Sequence, residues 1–423
     1  MRIFHLVFKE LVLLFNRLAL VFGKRNAVCI LGFWVILSGL SVFPAGFNIG
    51  IDQYFMDFTA RLAAPSRTPA SDTVILAIDM ETLSRTPHRW PWPRRMMIRL
   101  LAAVASQSPQ LVVFDILFQH PEADGGSPDD LQFAQLIRQL GNVALVSTVE
   151  ESLTPQGREL QKYYSHDLFR QAAKINGFVW AVHDSDGTIR SCILADDRLS
   201  MESCALQAAR QVNPGQVTIS KLSSGTTRGY FAFAEGQGGI PIIPAQEFLD
   251  GHVSGDLLKN KIVFVGVTAQ ALHDFHQTAM GVIPGVVLLA TSFDSILCGR
   301  TGYFYNAVGF RLLMAIIGGM IGVLLFSAAA SYSLFWSVFS IVAFCCIGLA
   351  GCEMTGRHLP FGPSLSAWFF VTLFLFASKY LLDLLKIQFM QAEAQAAGQI
   401  QKALFPESAW KGPNGFSCVG LCH

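Results

Sequence analysis

The sequence predicts an α/β domain, a mostly parallel mixed sheet covered by helices, joined to four α-helical transmembrane spans and a cytoplasmic coiled-coil-like helix. Three observations lead there. Charge is scarce, with 31 Lys and Arg against 30 Asp and Glu in 423 residues, or 14%, where about 25% is usual for a soluble domain. That charge is unevenly spread, being absent between Asn26 and Ile51 and again between Arg311 and Glu353. Between these stretches, short β-branched apolar runs alternate with amphipathic segments, the pattern of a sheet covered by helices.

The elements follow in order. Residues 1–25 are apolar but interrupted by Lys9, Glu10 and Arg17, which suits an amphipathic helix lying in a membrane interface. Residues 26–49 are long and apolar enough for a first span. A cleaved leader is the competing reading, and the absence of a small-residue cleavage site before a polar chain speaks against it. Residues 305–328, 333–353 and 359–379 read as three further spans. Arg2, Lys9, Arg17, Lys24 and Arg25 precede the first, and Lys379 and Lys386 follow the last. Positive charge collects on the cytoplasmic side, so both termini are expected there, with residues 50–300 outside, in a multi-pass protein of a bacterial inner membrane.

Within residues 50–300, VILAI (74–78), LVVFDILF (111–118), VALVSTV (143–149) and KIVFVGV (261–267) read as buried strands. Their unbroken apolar runs belong to a parallel sheet covered on both faces. Arg94–Ala105, a segment opened by Ser127-Pro-Asp-Asp, Met201–Val212 and Leu288–Leu297 read as helices. Ser127 suits the cap, Pro128 the first turn, and Asp129 and Asp130 the positive end of the helix dipole. FVWAV and TIRSCIL, turning at Asp186-Gly187, read as a hairpin.

Asp79, Asp115 and Asp274 fall at or just beyond strand ends on the carboxyl edge of that sheet, where ligands of open α/β sheets bind. Together they can hold a cation or a polar ligand; separately, each can cap a helix or tie a loop to backbone amides. In Trp90-Pro-Trp92-Pro-Arg94-Arg95 two prolines stiffen the backbone and present two indoles and two guanidiniums. That arm is either a ligand contact or a plug at the sheet. Cys192 and Cys204 are close enough in sequence for a bridge, with two free thiols as the alternative. The nine cysteines include no CxxC pair, and no HExxH occurs, so no metal centre and no cofactor are expected. The charge balance and apolar content exclude a disordered chain, a coiled rod and a nucleic-acid binder working through bulk basic charge.

AID (77–79), WPWPR (90–94), VVFDILF (112–118), DGTIR (186–190), KNKIVFVG (259–266), Asp274 and PGV (284–286) together resemble the extracytoplasmic CHASE sensor domain of the second type. The resemblance covers residues 50–300. It implies a bacterial input domain that senses an unidentified external signal, with a lipid bilayer as partner and three spans after the sensor. One departure is the loop before PGV, HQTAMGVI, which lacks a Thr-Pro often found after the Asp.

In residues 380–405, Leu382, Leu385, Phe389, Ala392 and Ala396 follow 3-4 spacing, then slip to Ile400 and Leu404. Such a seam pairs with a second copy as a coiled-coil stalk of a homodimer, or packs singly on another domain. AAGQIQKALFP followed by GFSCVGLCH resembles the N-terminal edge of stage II sporulation E-type serine/threonine phosphatases, whose domain is expected to begin within residues 406–423. The metal-binding aspartates of such enzymes lie beyond this point, so no catalytic residue is assigned here, and Mn or Mg belongs to that further domain. The input module of a cyclase or histidine kinase is the first rival, and a transporter or channel subunit the second. Mid-membrane charge marks transport, and these stretches have almost none.

Overall fold

The computed structural model describes residues 46–303, apart from 70–71, 123–125, 155–156, 216, 218–224, 235–238 and 252–255, and beyond them residues 342, 346, 357–358, 380, 383–402, 410–411 and 417–418. Residues 46–310 with 342–362 make one compact unit, and the remainder another.

In the first unit, α1 (Gly46–Ala63) leads through a 3-10 turn to β1 (Thr73–Ile78). Then come α2 (Met80–Arg85), α3 (Arg94–Ala105), β2 (Leu111–Asp115), α4 (Pro128–Leu140), β3 (Val143–Thr154), β4 (Gly157–Tyr163), α5 (Asp167–Arg170) and β5 (Ile175–Val179). The second half runs β6 (Ala181–His183), β7 (Ile189–Asp196), α6 (Cys204–Val212), β8 (Thr226–Tyr230), β9 (Ile242–Pro244), α7 (Ala245–Leu249) and β10 (Ile262–Val267). It closes with β11 (Phe275–Thr278), β12 (Gly281–Pro284) and α8 (Gly285–Leu297), and β13 (Gly302–Tyr303) pairs in parallel with β14 (Arg357–His358).

The larger sheet is parallel through β9-β1-β10-β2-β3-β5, and β4 adds antiparallel to the far end of β3. Side chains of a strand alternate between faces, and here both faces are buried. Ile75, Val113, Ala144 and Phe264 enter one cluster; Leu76, Val112, Leu145 and Val263 enter the other, beneath α3, α4 and α7. That explains why the strands read as unbroken apolar runs.

The smaller sheet runs β12-β11-β7-β6, with β8 on β7. Between the two sheets lies α8. It packs on β1, β2 and β10 on one side and on β8 and β12 on the other, with α6 alongside. Every residue from Val286 to Ile296 is buried, including the polar Thr291, Ser292, Asp294 and Ser295, so the helix is a core element between layers. Each fully buried Val, Leu or Phe there contributes roughly 1.5–3 kcal/mol, so α8 is the element that joins the sheets. The starts of the helices follow the sequence closely. Ser127 accepts from the amide of Asp130 at 3.0 Å, and Asp130 returns the bond to the Ser127 amide at 2.8 Å, a reciprocal capping box.

Two expectations are corrected. FVWAV is not one arm of a hairpin: Phe178 and Val179 belong to β5 of the larger sheet, and only Ala181–His183 pairs with β7. Hydrophobic alternation cannot tell which sheet a strand joins. The fold class with four transmembrane spans is also overturned, because among the described residues no helix is long and apolar enough to cross a membrane. The helix entering the domain, α1, runs across the expected boundary at residue 49 and carries Asp52, Asp57 and Arg61. The helix at 383–402 carries Asp383, Lys386, Glu393 and Lys402. The apolar stretches at 305–328 and 359–379, nearly all of 333–353 and most of 26–49 lie outside the described residues, as do residues 1–25, Leu382 and Leu404.

In the second unit, Leu385, Phe389 and Ile400 of the 383–402 helix are exposed. Beyond it β15 (Trp410–Lys411) pairs antiparallel with β16 (Ser417–Cys418).

β5 reaches α6 only because residue 177 is glycine. A Cβ there would stand 2.4 Å from both the amide nitrogen and the Cα of Cys204, backbone atoms that cannot rotate away. Gly177→Ala is expected to cost about 3 kcal/mol or more, read as a lower unfolding midpoint of the intact chain.

Candidate functional site

The tryptophan-proline arm is a plug. Trp92 is buried and Trp90 partly so, with ring centroids 5.7 Å apart in an edge-to-face contact. Arg94, the first residue of α3, is buried between the rings of Phe118 and Phe169 at 5.0 and 5.1 Å. Its Nη2 donates to the His120 carbonyl at 2.6 Å, and its Nε lies 3.1 Å from Oδ1 of the fully buried Asp130. Burial lowers the pKa of this guanidinium, against the pull of Asp130 and Glu122. Asp130 therefore both closes the cap of α4 and balances a buried cation. Removing one partner of such a pair costs about 3–5 kcal/mol. Asp130→Ala is expected to lose that much in a urea unfolding titration of the intact chain.

The three aspartates part company. Asp79 caps α2, accepting from the Thr82 amide at 2.7 Å. Asp115 ends β2 and is partly buried. Its register partner is Gly266 of β10, where an added Cβ would meet Val286 of α8 at 2.6 Å and Asp115 Cβ at 3.2 Å. Asp274 follows β10 and sets its carboxylate on the start of α8, both oxygens lying within 2.7 Å of the Cβ position of Gly285. A helix N-terminus favours negative charge. Nε2 of His276 on β11 is 3.1 Å from Oδ1 of Asp274, and the His276 ring stands edge-on to that of His183 on β6, 6.3 Å between centroids.

Asp115 and Asp274 thus meet where the carboxyl edge of the larger sheet touches the smaller one, with His276 beside them. Burial first, and then the Asp274 charge, push the Asp115 pKa up to about 7, while His276 pulls it down. Among the described residues no three His, Cys, Asp or Glu side chains converge as a metal ligand set.

Cys192 and Cys204 are free thiols. Cys192 Sγ lies 3.1 Å from Ser292 Oγ of α8, and burial raises its pKa to about 11. Cys204 is fully buried at the start of α6, its pKa raised by burial and then by Asp115.

A second polar centre was not singled out in the sequence. Arg190 of β7, nearly all buried, holds Asp57 of α1 through two parallel bonds of 2.7 and 2.8 Å. It also bonds Asp184 at 3.0 Å and Asp186 at 2.7 Å. Burial works against its charge, and the bonds to Asp57, Asp186 and Asp184 overturn that and raise its pKa. Asp186 is held down to about 2, chiefly by Arg190. Arg228 of β8 shares Asp184 at 2.8 Å and bonds Ser191. A small, half-open pocket beside Arg190, with room for about 10 Å³, is lined by Met56, Asp57, Ala60, Phe231, Phe233 and Ala279. The signal was a lone arginine inside the apolar strand TIRSCIL, and for His276 its place two residues after Asp274.

Among the described residues, the domain is two sheets clamped on a buried helix, with its polar centres at the junctions. A family model described as the CHASE2 domain matches residues 30–328, and the chain belongs to that family, whose members are sensor domains of signalling proteins. No curated protein and no solved structure matches the chain.

The raised pKa of Asp115 has a defined sign. The folded state keeps that proton up to about pH 7, whereas an unfolded aspartate releases it at about 4. Between these values the folded state binds more protons, so this group's stabilisation is full below about pH 4 and is lost as pH rises through about 7. In Asp115→Asn the slope is absent. The difference in melting temperature, variant minus parent, is expected to become more positive from acid to mildly alkaline buffer.

Proposed function

We propose that the chain is the input part of a bacterial receptor. Its CHASE2 domain reads a stimulus outside the cytoplasm and passes it, within a homodimer, to a cytoplasmic serine/threonine phosphatase output. The observation that carries this reading is the pair of hydrogen bonds from buried Arg190 to Asp57. Bidentate guanidinium–carboxylate pairs fix orientation as well as distance. The smaller sheet is thereby tied to α1, the helix through which the N-terminal part of the chain enters the domain. Arg61 of the same helix donates from Nε to the Ala279 carbonyl at 2.6 Å. A rearrangement of that sheet pulls on α1 at two places.

The dimeric reading is supported by the exposed apolar residues of the 383–402 helix, Leu384, Leu385, Ile387, Phe389, Met390 and Ile400, a surface that a second copy of the same helix can cover. The phosphatase reading rests on the likeness of AAGQIQKALFP to that family, and the CHASE2 match ends before it. A stimulus shifts the equilibrium only by its preference for one state over the other.

Single cysteines at Gly187, an open turn, and at Gln395, exposed on its helix, test the arrangement in a background without reactive native thiols. A membrane-impermeant maleimide added to intact cells is expected to label position 187 and spare 395. The reverse pattern overturns the reading.

A further inference from the structure

We propose that Asp115, Asp274 and His276 form a proton-responsive latch between the two sheets, so that the stimulus this domain reads is the acidity of its surroundings. The inference rests on the extracytoplasmic placement above for where that acidity lies, and for the latch on the seating of Asp115 against Gly266 beside Val286, of Asp274 against Gly285, and on the Asp274–His276 contact.

The three groups come from different layers. Asp115 belongs to the larger sheet, His276 to the smaller, and Asp274 to the connection between them, seated on the start of α8. The groups facing Asp115 are Asp274, His276 and the Cys204 thiol at the start of α6, with His183 behind the His276 ring. On the neighbouring stretches of β10 and α8, Gly266 and Val286 lie against Asp115 and Gly285 against Asp274, and among the described residues the charges that act on Asp115 are those of Asp274 and His276. With both ionised, like charges oppose each other in a partly buried seam, and the His276 imidazole relieves them. When Asp115 takes up a proton the opposition ends, while Asp274 keeps its place on the positive end of α8 and its bond to His276. Acid therefore closes the seam and alkali loosens it. A change of a few kcal/mol in such a junction moves a two-state population by a large factor. The direction of the shift in the Asp115 pKa, toward about 7, agrees with this ordering.

The latch connects to α1 through one short strand. β11 carries His276 and ends at Thr278, which pairs with Ile189, the neighbour of Arg190. The next carbonyl, that of Ala279, accepts from Arg61 of α1. Movement of β11 at His276 thus reaches both anchors of α1 within three residues.

Hydrogen exchange of the purified full chain, corrected for the intrinsic effect of pH, tests this across the carboxyl and imidazole range. Peptides covering 275–284 and 46–63 are expected to exchange several-fold faster on the alkaline side, in one shared transition centred at about pH 7. Asp115→Asn is expected to keep both segments slow throughout. His276→Gln, which leaves Asp115 without its relieving ring, is expected to move the midpoint upward. Absence of a transition in the parent, an unchanged transition in Asp115→Asn, or one confined to 275–284 overturns the latch. Failure here with position 187 labelled from outside refutes the latch alone; a transition with position 187 protected refutes the extracytoplasmic placement alone.

Discussion

Burial of α8 between two sheets is the constraint on which the structure depends. It is buried on every side, so neither sheet alone can cover it, and each loses its inner face without the helix. Of the polar atoms it brings inward, the Thr291 hydroxyl is buried without a hydrogen-bond partner, whereas Ser295 Oγ donates to the Thr291 carbonyl and accepts from the Ala232 amide. Buried polar groups persist when they are so paired. Because the helix start is pinned by Asp274 from the chain that links the sheets, anything altering charge there acts on the junction itself.

Two buried arginines show how the same side chain serves two ends. Arg94 closes a local structure: it fills an aromatic cage, pairs with Asp130 and joins the starts of α3 and α4. Arg190 spans distant parts of the chain, binding Asp57 across more than a hundred residues together with the Asp184 and Asp186 of its own hairpin. The first is a stability device. The second makes one helix answer to a sheet it is not part of.

Much of the fold was legible in the residues. Arg94–Ala105 is helical over the expected span, Ser127 caps α4, and the apolar runs at 74–78, 111–115 and 262–267 are adjacent strands of the parallel sheet. Caps and strand burial are written in a few neighbouring residues, so local reading finds them. The split of FVWAV between two sheets at Trp180 was not legible, since a strand's partner is chosen by the whole core. Nor was the division of labour among Asp79, Asp115 and Asp274. Each lies at or just beyond a strand end, yet Asp79 caps a helix while the Asp274 charge acts on Asp115.

The amino-acid order alone determined that apolar strands would be covered on both faces and that the domain would resemble a sensor of the second CHASE type, because periodicity and motif order survive without coordinates. Only the tertiary structure decided which charges meet. Asp57 reaches Arg190, and Asp115 reaches Asp274 and His276, because sheets and α8 bring distant residues within bonding range. Coulombic attraction and desolvation depend on that range and on burial, and neither is a property of sequence distance.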